Sequence, residues 1–419
     1  MRVLTLSNFF PPDLVGGYEI ACAQMVDELR RRGHVVRVLT STPRAPVVGD
    51  DRDGVRRMLR VDETANPLLL PSDWMATATR SFLVDSHNVE LLRQEVEDFH
   101  PDVVYISNLT GIGGVAMALA VEMRGLPWVW RLGDAVPLRL TGFGAEWDSS
   151  FARVFTHLLT GSWTACSQAV LDEIAAGGGD LRGRVGVIAD WIAGPRPASR
   201  DRWYGGRGTL HCLSAGQLAW DKGVHIAVEA IAQLRDEGYQ DVVLDVVGAG
   251  PERFGLEGQV ARLGLGEQVR FHGKLSHTEV LRRYGAADVL VLPTASREPF
   301  GLVALEAAIH GCVPIVTAGC GITEWLVDGV HLITAPRDAA GFATVLRGVR
   351  TGQIDLAAIG RRAQALYPDF HVARAAALFE AELEAARTVP REEDASWEDI
   401  MRMARIGETV AYRLLHPRS

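Results

Sequence analysis

Lysine is nearly missing from this chain: of 43 basic residues in 419, only Lys222 and Lys274 are lysines. An arginine bias, such as a GC-rich genome produces, replaces lysine wherever any cation serves. A lysine that remains then marks a place needing a compact point charge, or it is an accidental survivor. Other absences exclude whole classes of protein. The five cysteines (Cys22, Cys166, Cys212, Cys312, Cys320) form no CxxC pair and the twelve histidines no HExxH, so neither a zinc motif nor a disulfide framework is expected. No stretch approaches the roughly 18 apolar residues of a membrane span. The opening run Met1–Asn8 is too short for a signal-peptide core, and a reduced cytoplasmic compartment fits best. A net charge of -9 argues against general nucleic-acid binding, which needs a positive field. There is no internal repeat of about 20–50 residues and no low-complexity tract.

What is present is ordinary globular material, 47% hydrophobic and 23% charged. A length of 419 residues exceeds what one core usually serves, so two domains are expected. Short β-rich runs alternate with helical patterns: a strand at Arg2–Ser7, a helix from Tyr18 to Arg32 with Ile20, Met25, Val26 and Leu29 on one face, a strand at Val35–Thr40. The order recurs at Val103–Ser107, Gly113–Met123 and Trp128–Leu132. A Pro/Gly/Ser-rich stretch, Gly194-Pro195-Arg196-Pro197-Ala198-Ser199, interrupts it. Alternation then restarts with His211–Ala215, Val224–Glu237 and Val242–Val247, followed by strands at Val289–Leu292 and Val313–Thr317. This pattern predicts an α/β architecture of two doubly wound, Rossmann-like domains with parallel sheets. The expected limits are 1–194, a hinge at 195–207, 208–378, and helices over 379–419 that pack back on the body. In the last of these, Trp397–Leu415 reads as an amphipathic helix with Ile400, Met403, Ile406 and Val410 on its apolar side. Ligands of such sheets bind beyond the carboxyl ends of the strands, which directs attention to the cleft between the halves.

The strongest chemical signal is Glu298-Pro299-Phe300-Gly301-Leu302-Val303-Ala304-Leu305-Glu306, directly after a strand and the turn Pro293–Arg297. Pro299 stands where a helix can begin, and Gly301 permits close approach of a ligand to the backbone. The amides of Phe300, Gly301 and Leu302 would form an anion site reinforced by the helix dipole. Glu306 lies about one and a half turns inside, roughly 7 Å along the axis. Two carboxylates so spaced suit two sets of hydroxyls on one extended ligand. A second element, Leu213-Ser214-Ala215-Gly216-Gln217-Leu218-Ala219-Trp220-Asp221-Lys222-Gly223, places a lysine just before a helix, where its ammonium can meet a phosphate. The alternative is a helix cap by Asp221 with a surface lysine.

Together these pieces closely resemble glycosyltransferase family 4, retaining nucleotide-sugar enzymes of GT-B fold. The resemblance runs from Gly16-Gly17 to about Leu378 and includes the signature Glu-x7-Glu as Glu298 and Glu306, then Gly311-Cys312-Val313-Pro314-Ile315-Val316 and Gly321-Ile322-Thr323-Glu324. It implies a soluble, metal-independent transferase moving a sugar from a nucleotide diphosphate donor, with no cofactor. The acceptor would be a small molecule, glycan or lipid, with no nucleic-acid partner and at most peripheral membrane contact. It implies an acceptor-side N-terminal domain and a donor-binding C-terminal domain. Glu298 would hold the donor sugar, Glu306 the ribose and Lys222 the diphosphate, with Gly16 and Gly17 approaching the same phosphate. Gly248, Phe300, Gly301 and Leu302 would line the donor site, and Leu275 in Phe271-His272-Gly273-Lys274-Leu275 would lie near the base. Asp134 would orient acceptor or donor. Four positions depart from the family pattern. Gln217 replaces an arginine, Leu132-Gly133-Asp134 lacks a histidine, Val187-Ile188-Ala189-Asp190-Trp191 replaces a Pro-Asn-Gly turn, and Cys320 replaces a glycine. The first two bear on rate and donor choice.

Two other functions share these features: a GT-B epimerase or phosphorylase, and a catalytically silent nucleotide-sugar-binding subunit. A pyridoxal-phosphate phosphorylase needs a Schiff-base lysine, for which two lysines leave little room. Gly111-Ile112-Gly113-Gly114-Val115-Ala116 matches a dinucleotide fingerprint, but Asn108-Leu109-Thr110 spoils the tight turn, and helix packing explains it better. Asp51-Arg52-Asp53 has the form of a metal-binding D-x-D but reads as solvated loop charge. The apolar run Leu68–Val84 reads as core in preference to a membrane or acceptor surface.

Overall fold

The computed structural model describes residues 1–13, 16–43, 54–61, 82–141, 150–199 and 208–415. Asp51-Arg52-Asp53, most of Leu68–Val84 and hinge residues 200–207 lie outside the described residues. The chain divides into two compact units, Met1–Asp190 with Val372–Ser419, and Trp191–His371. Each spends β-branched and aromatic residues on short runs whose inner strands are buried on both faces, as a parallel sheet covered by helices requires.

In the first unit these runs are β1 (Arg2–Ser7), β2 (Val35–Ser41), β3 (Val55–Leu59), β4 (Val103–Asn108), β5 (Trp128–Leu132), β6 (Ser162–Ala165) and β7 (Arg184–Val187). They pair in parallel in the order β3-β2-β1-β4-β5-β6-β7. Val3, Leu4, Leu6, Val103 and Val104 fill its core together with Trp128, Trp130 and Trp163, the last packing edge-on to Trp128 and stacked on Trp130. The second unit contains β8 (Leu210–Ala215), β9 (Val242–Val247), β10 (Val269–Gly273), β11 (Val289–Leu292), β12 (Val313–Thr317) and β13 (Ile333–Ala335), ordered β10-β9-β8-β11-β12-β13. Both are doubly wound, Rossmann-like sheets with a switch point, at β1/β4 and at β8/β11. Among the described residues no helix is long and apolar enough to cross a membrane.

The helix Val372–Thr388 runs unbroken through position 378 and belongs to the first unit, packing on β4, β5 and the helix Gly17–Arg31. Phe379 meets Tyr105 of β4 edge-to-face at 4.7 Å, and Glu380 accepts from Arg32 at 2.5 Å and contacts His34 at 2.7 Å. The final helix, Trp397–Leu415, corrects the expected apolar side. Trp397, Ile400, Met401 and Ala404 are buried, whereas Met403 and Ile406 are 46% and 55% exposed. Successive steps of three residues drift round a helix by about 60° each, so 400, 403 and 406 do not share a face, while 397, 400/401 and 404 do. At Gly113 and Gly114 a side chain would collide with the Asp85 amide and the Leu109 carbonyl. These glycines serve close packing of the helix Gly114–Met123.

Replacing Phe379 by Ala is expected to destabilise the first unit by about 3–5 kcal/mol, the range for an aromatic removed from a core. Hydrogen exchange should accelerate in β4 and β5 and stay unchanged in β8 and β11. Unchanged protection in β4 and β5 would contradict this docking.

Candidate functional site

The loops after β8 and β11 flank the switch point of the second sheet, and sequence and packing force them together. The first ends in the 3-10 turn Trp220–Lys222 and Gly223. Gly223 has φ +67°, and a Cβ there would stand 1.9 Å from the Pro293 carbonyl oxygen, so only glycine allows this contact. The Asp221 carbonyl accepts from the amide of Ala295 at 2.8 Å, fixing the two loops edge to edge. Asp221 does not cap the following helix, Val224–Asp236, whose N-cap is Gly223 without a side-chain hydrogen bond.

Lys222, so positioned, donates from Nζ to Glu298 Oε2 at 2.8 Å and lies 3.6 Å from Asp221 Oδ2. Burial works against its charge, but the carboxylates of Glu298 and Asp221 outweigh it and hold the pKa above the ordinary lysine value. Glu298 is 15% exposed, and its carbonyl accepts from the Gly321 amide at 3.0 Å. Cys320 fills the space beneath: its thiol donates to the Phe300 carbonyl at 3.4 Å, and burial pushes its pKa up to about 12, with Glu298 adding to the effect.

The helix expected near Pro299 begins at Leu302, because Gly301 turns the chain with φ +96°. No side chain caps this helix, Leu302–Ile309, and among the described residues no backbone acceptor takes the amides of Phe300, Gly301 or Leu302. The mouth therefore carries unpaired donors and the positive end of the helix dipole. Glu306, 13% exposed, is the fifth residue inward. Its Oε1 lies 2.8 Å from His277 Nε2, and its Oε2 accepts from the buried Tyr284 hydroxyl at 3.3 Å. His277 opens the helix His277–Ala286, whose capping box of Ser276 and Glu279 is legible in sequence. Its reach to a carboxylate 29 residues onward is not.

Of the other expected residues, Gln217 is exposed beyond β8, and Gly248 follows β9 so closely packed that a Cβ would lie 1.8 Å from the Gly216 carbonyl oxygen. Leu275 is half-buried between β10 and the helix His277–Ala286. Gly16 and Gly17 belong to the first unit, at the start of the helix Gly17–Arg31, where the Gly16 amide already donates to the Glu19 carboxylate at 2.7 Å. That internal cap occupies a donor expected to face phosphate. Asp134 ends the turn after β5, with Oδ2 paired to Arg139 and Oδ1 buried without a partner.

Two family descriptions match this chain: Glycosyl transferases group 1 over residues 207–365, and Glycosyl transferase 4-like domain over residues 16–185. The glycogen synthase of Mycobacterium tuberculosis is 31% identical over 385 residues, spanning 87% of this chain and 89% of that protein. A D-inositol 3-phosphate glycosyltransferase of an Arthrobacter species is 32% identical over 187 residues, 44% of each chain. Among solved structures, HepE of Anabaena in complex with UDP and glucose aligns with TM-score 0.67 at 20% identity, covering 92% of this chain and all of its own. The sucrose-phosphate synthase of Thermosynechococcus elongatus aligns with TM-score 0.70 at 19% identity, covering 92% and 99%.

The His277–Glu306 pair gives a pH signature. The hydrogen bond to Glu306 raises the His277 pKa against the opposing effect of burial. Because the folded value lies above the unfolded one, the stabilisation is complete below the unfolded pKa and is lost as pH rises through the folded pKa. An NMR titration should find His277 above the ordinary value of about 6.5 and falling back toward it in Glu306→Gln. A titration that does not respond to Glu306→Gln would contradict the pairing.

Proposed function

Because this chain belongs to the group 1 glycosyltransferases, we propose that it moves a sugar from a nucleoside diphosphate donor to a hydroxyl acceptor with retention of anomeric configuration, without a metal ion. The observation that carries this reading is the Lys222–Glu298 pair at the open mouth of the helix Leu302–Ile309, with Glu306 one turn deeper. The diphosphate takes the Lys222 ammonium and the amides of Phe300, Gly301 and Leu302. Lys222 then has a second anion, and Glu298 turns to the hydroxyls of the transferred sugar. Glu306 accepts from the ribose diol, and Leu275 lies on the base side.

In the transfer, the bond between the anomeric carbon and the phosphate oxygen breaks with its electron pair passing to the phosphate. The acceptor oxygen bonds to the anomeric carbon on the same face, and its proton passes to the departing phosphate oxygen. Charge therefore grows where Lys222 and the helix-end amides stand preorganised, the arrangement that contributes most to such a step. HepE, solved with UDP and glucose, makes UDP-glucose the first donor to test. The names of the relatives suggest α-glucan and inositol phosphate as first acceptors.

Three results test the reading. Glu298→Gln should reduce turnover at least a hundredfold in a protein whose circular dichroism remains native, and near-native turnover would refute the assignment. Lys222→Ala should cost about 2–4 kcal/mol of transition-state stabilisation, the scale for losing one preorganised oxyanion donor. Transfer should persist in excess chelator, and activity lost to chelator but restored by magnesium or manganese would overturn metal independence.

A further inference from the structure

Two groups of different kind hold the Glu306 carboxylate. Tyr284, fully buried, donates its hydroxyl to Oε2 at 3.3 Å. His277 brings Nε2 to 2.8 Å from Oε1, and its side chain is 45% exposed while the carboxylate it meets is 13% exposed. The solvent side of Glu306 is thus the His277 side. His277 is also the first residue of its helix, and the capping box there is made by Ser276 and Glu279 without it.

The neighbouring charged groups are disposed differently. On the same helix Glu279 is taken by Ser276, and Arg283 by Asp245 and His272. Arg282 is exposed, as is Lys274 just before the helix. At the end of the helix Leu302–Ile309, His310 meets the Glu306 backbone carbonyl at 2.8 Å and not its carboxylate. β8, which also packs on the helix His277–Ala286, contributes the exposed His211 and the buried thiol of Cys212. Tyr284 stays neutral, because burial raises its pKa well above the ordinary value. Among the described residues, His277 is therefore the partner of the Glu306 carboxylate that can change charge near neutral pH.

We propose that His277 is an internal competitor for the carboxylate that receives the nucleotide: it occupies Glu306 in the free protein, gives way to a ribose hydroxyl, and so makes nucleotide binding weaken as pH falls. This rests on the reading that Glu306 holds the ribose. A hydroxyl and a protonated imidazole are both donors, so both seek the same oxygen. An ion pair this open to solvent is weak enough to exchange. Exchanging one hydroxyl for another at Tyr284 would move no charge, but releasing His277 does. Glu306 is what raises the His277 pKa, so the freed ring returns toward the ordinary value and its proton passes to solvent. The His277 pKa is then higher in the free protein than in the complex. Its opposition to binding is complete below the value in the complex and disappears as pH rises above the value in the free protein.

The test compares the native protein with His277→Gln, which keeps an N–H donor at this exposed position and carries no charge. Affinities for UDP and ADP are measured by calorimetric titration at about pH 6 and about pH 8.5, on either side of an ordinary histidine's titration. The ratio of native to variant Kd cancels the titration of the nucleotide's own phosphates, and it should be about threefold or more larger at the lower pH. An NMR titration of His277 in the native protein, which needs no variant, should move to lower pH when UDP or ADP saturates the site. A ratio equal at both pH values, with a His277 titration that nucleotide does not move, would mean that the ribose joins Glu306 without displacing the ring. That overturns the competition while leaving the nucleotide site intact. A ratio that falls at the lower pH, or a titration that nucleotide raises, would make His277 a ligand of the nucleotide and overturn it equally. A native protein that binds neither UDP nor ADP at either pH would instead overturn the nucleotide reading, and the competition with it.

Discussion

Two loops from neighbouring parallel strands have to touch before Lys222 can reach Glu298, and a missing side chain at position 223 allows it. The Gly223 α-carbon lies where any Cβ would meet the Pro293 carbonyl, and the Asp221–Ala295 hydrogen bond fixes the register of the contact. The Lys222–Glu298 ion pair follows from this edge-to-edge arrangement. A parallel sheet delivers both loops to one end, because consecutive strands share their direction. The switch between β8 and β11 opens the crevice there.

The charged side chains of this region each have a partner in the free protein. Lys222 is shared by Glu298 and Asp221, and Glu306 is engaged by His277 and Tyr284. A diphosphate would offer Lys222 a second anion, and a diol would offer Glu306 hydroxyl donors in place of His277 and Tyr284. Such pre-satisfaction lowers the cost of keeping charged side chains partly buried, since an unpaired buried charge is far more expensive than a paired one. The first unit shows the opposite pattern at Tyr18 and Asp134, where two atoms remain unpaired.

Much of the fold was legible because its strands are short β-branched runs at regular spacing, and Val242–Val247, Val289–Leu292 and Val313–Thr317 appear where the pattern puts them. The proximity of Lys222 and Glu298 was also within reach, since both follow strand ends in a doubly wound sheet. What local pattern could not give is who answers whom across the sequence. His277 reaches Glu306 through the packing of two helices, and Tyr18 covers Gly133 across more than a hundred residues. The Gly16 amide is taken by Glu19, a contact three residues long that the glycine pair concealed. The apolar side of Trp397–Leu415 was misjudged because hydrophobic residues at steps of three suggest a stripe that the helix actually winds away from its partner.

The account stands on the second unit's being the nucleotide site, and a crystal structure of the protein soaked with UDP tests that most directly. It predicts the diphosphate oxygens within hydrogen-bonding distance of Lys222 Nζ and the amides of Phe300, Gly301 and Leu302, with the ribose hydroxyls on Glu306. A nucleotide bound elsewhere, with Glu306 still held only by His277 and Tyr284, would contradict it.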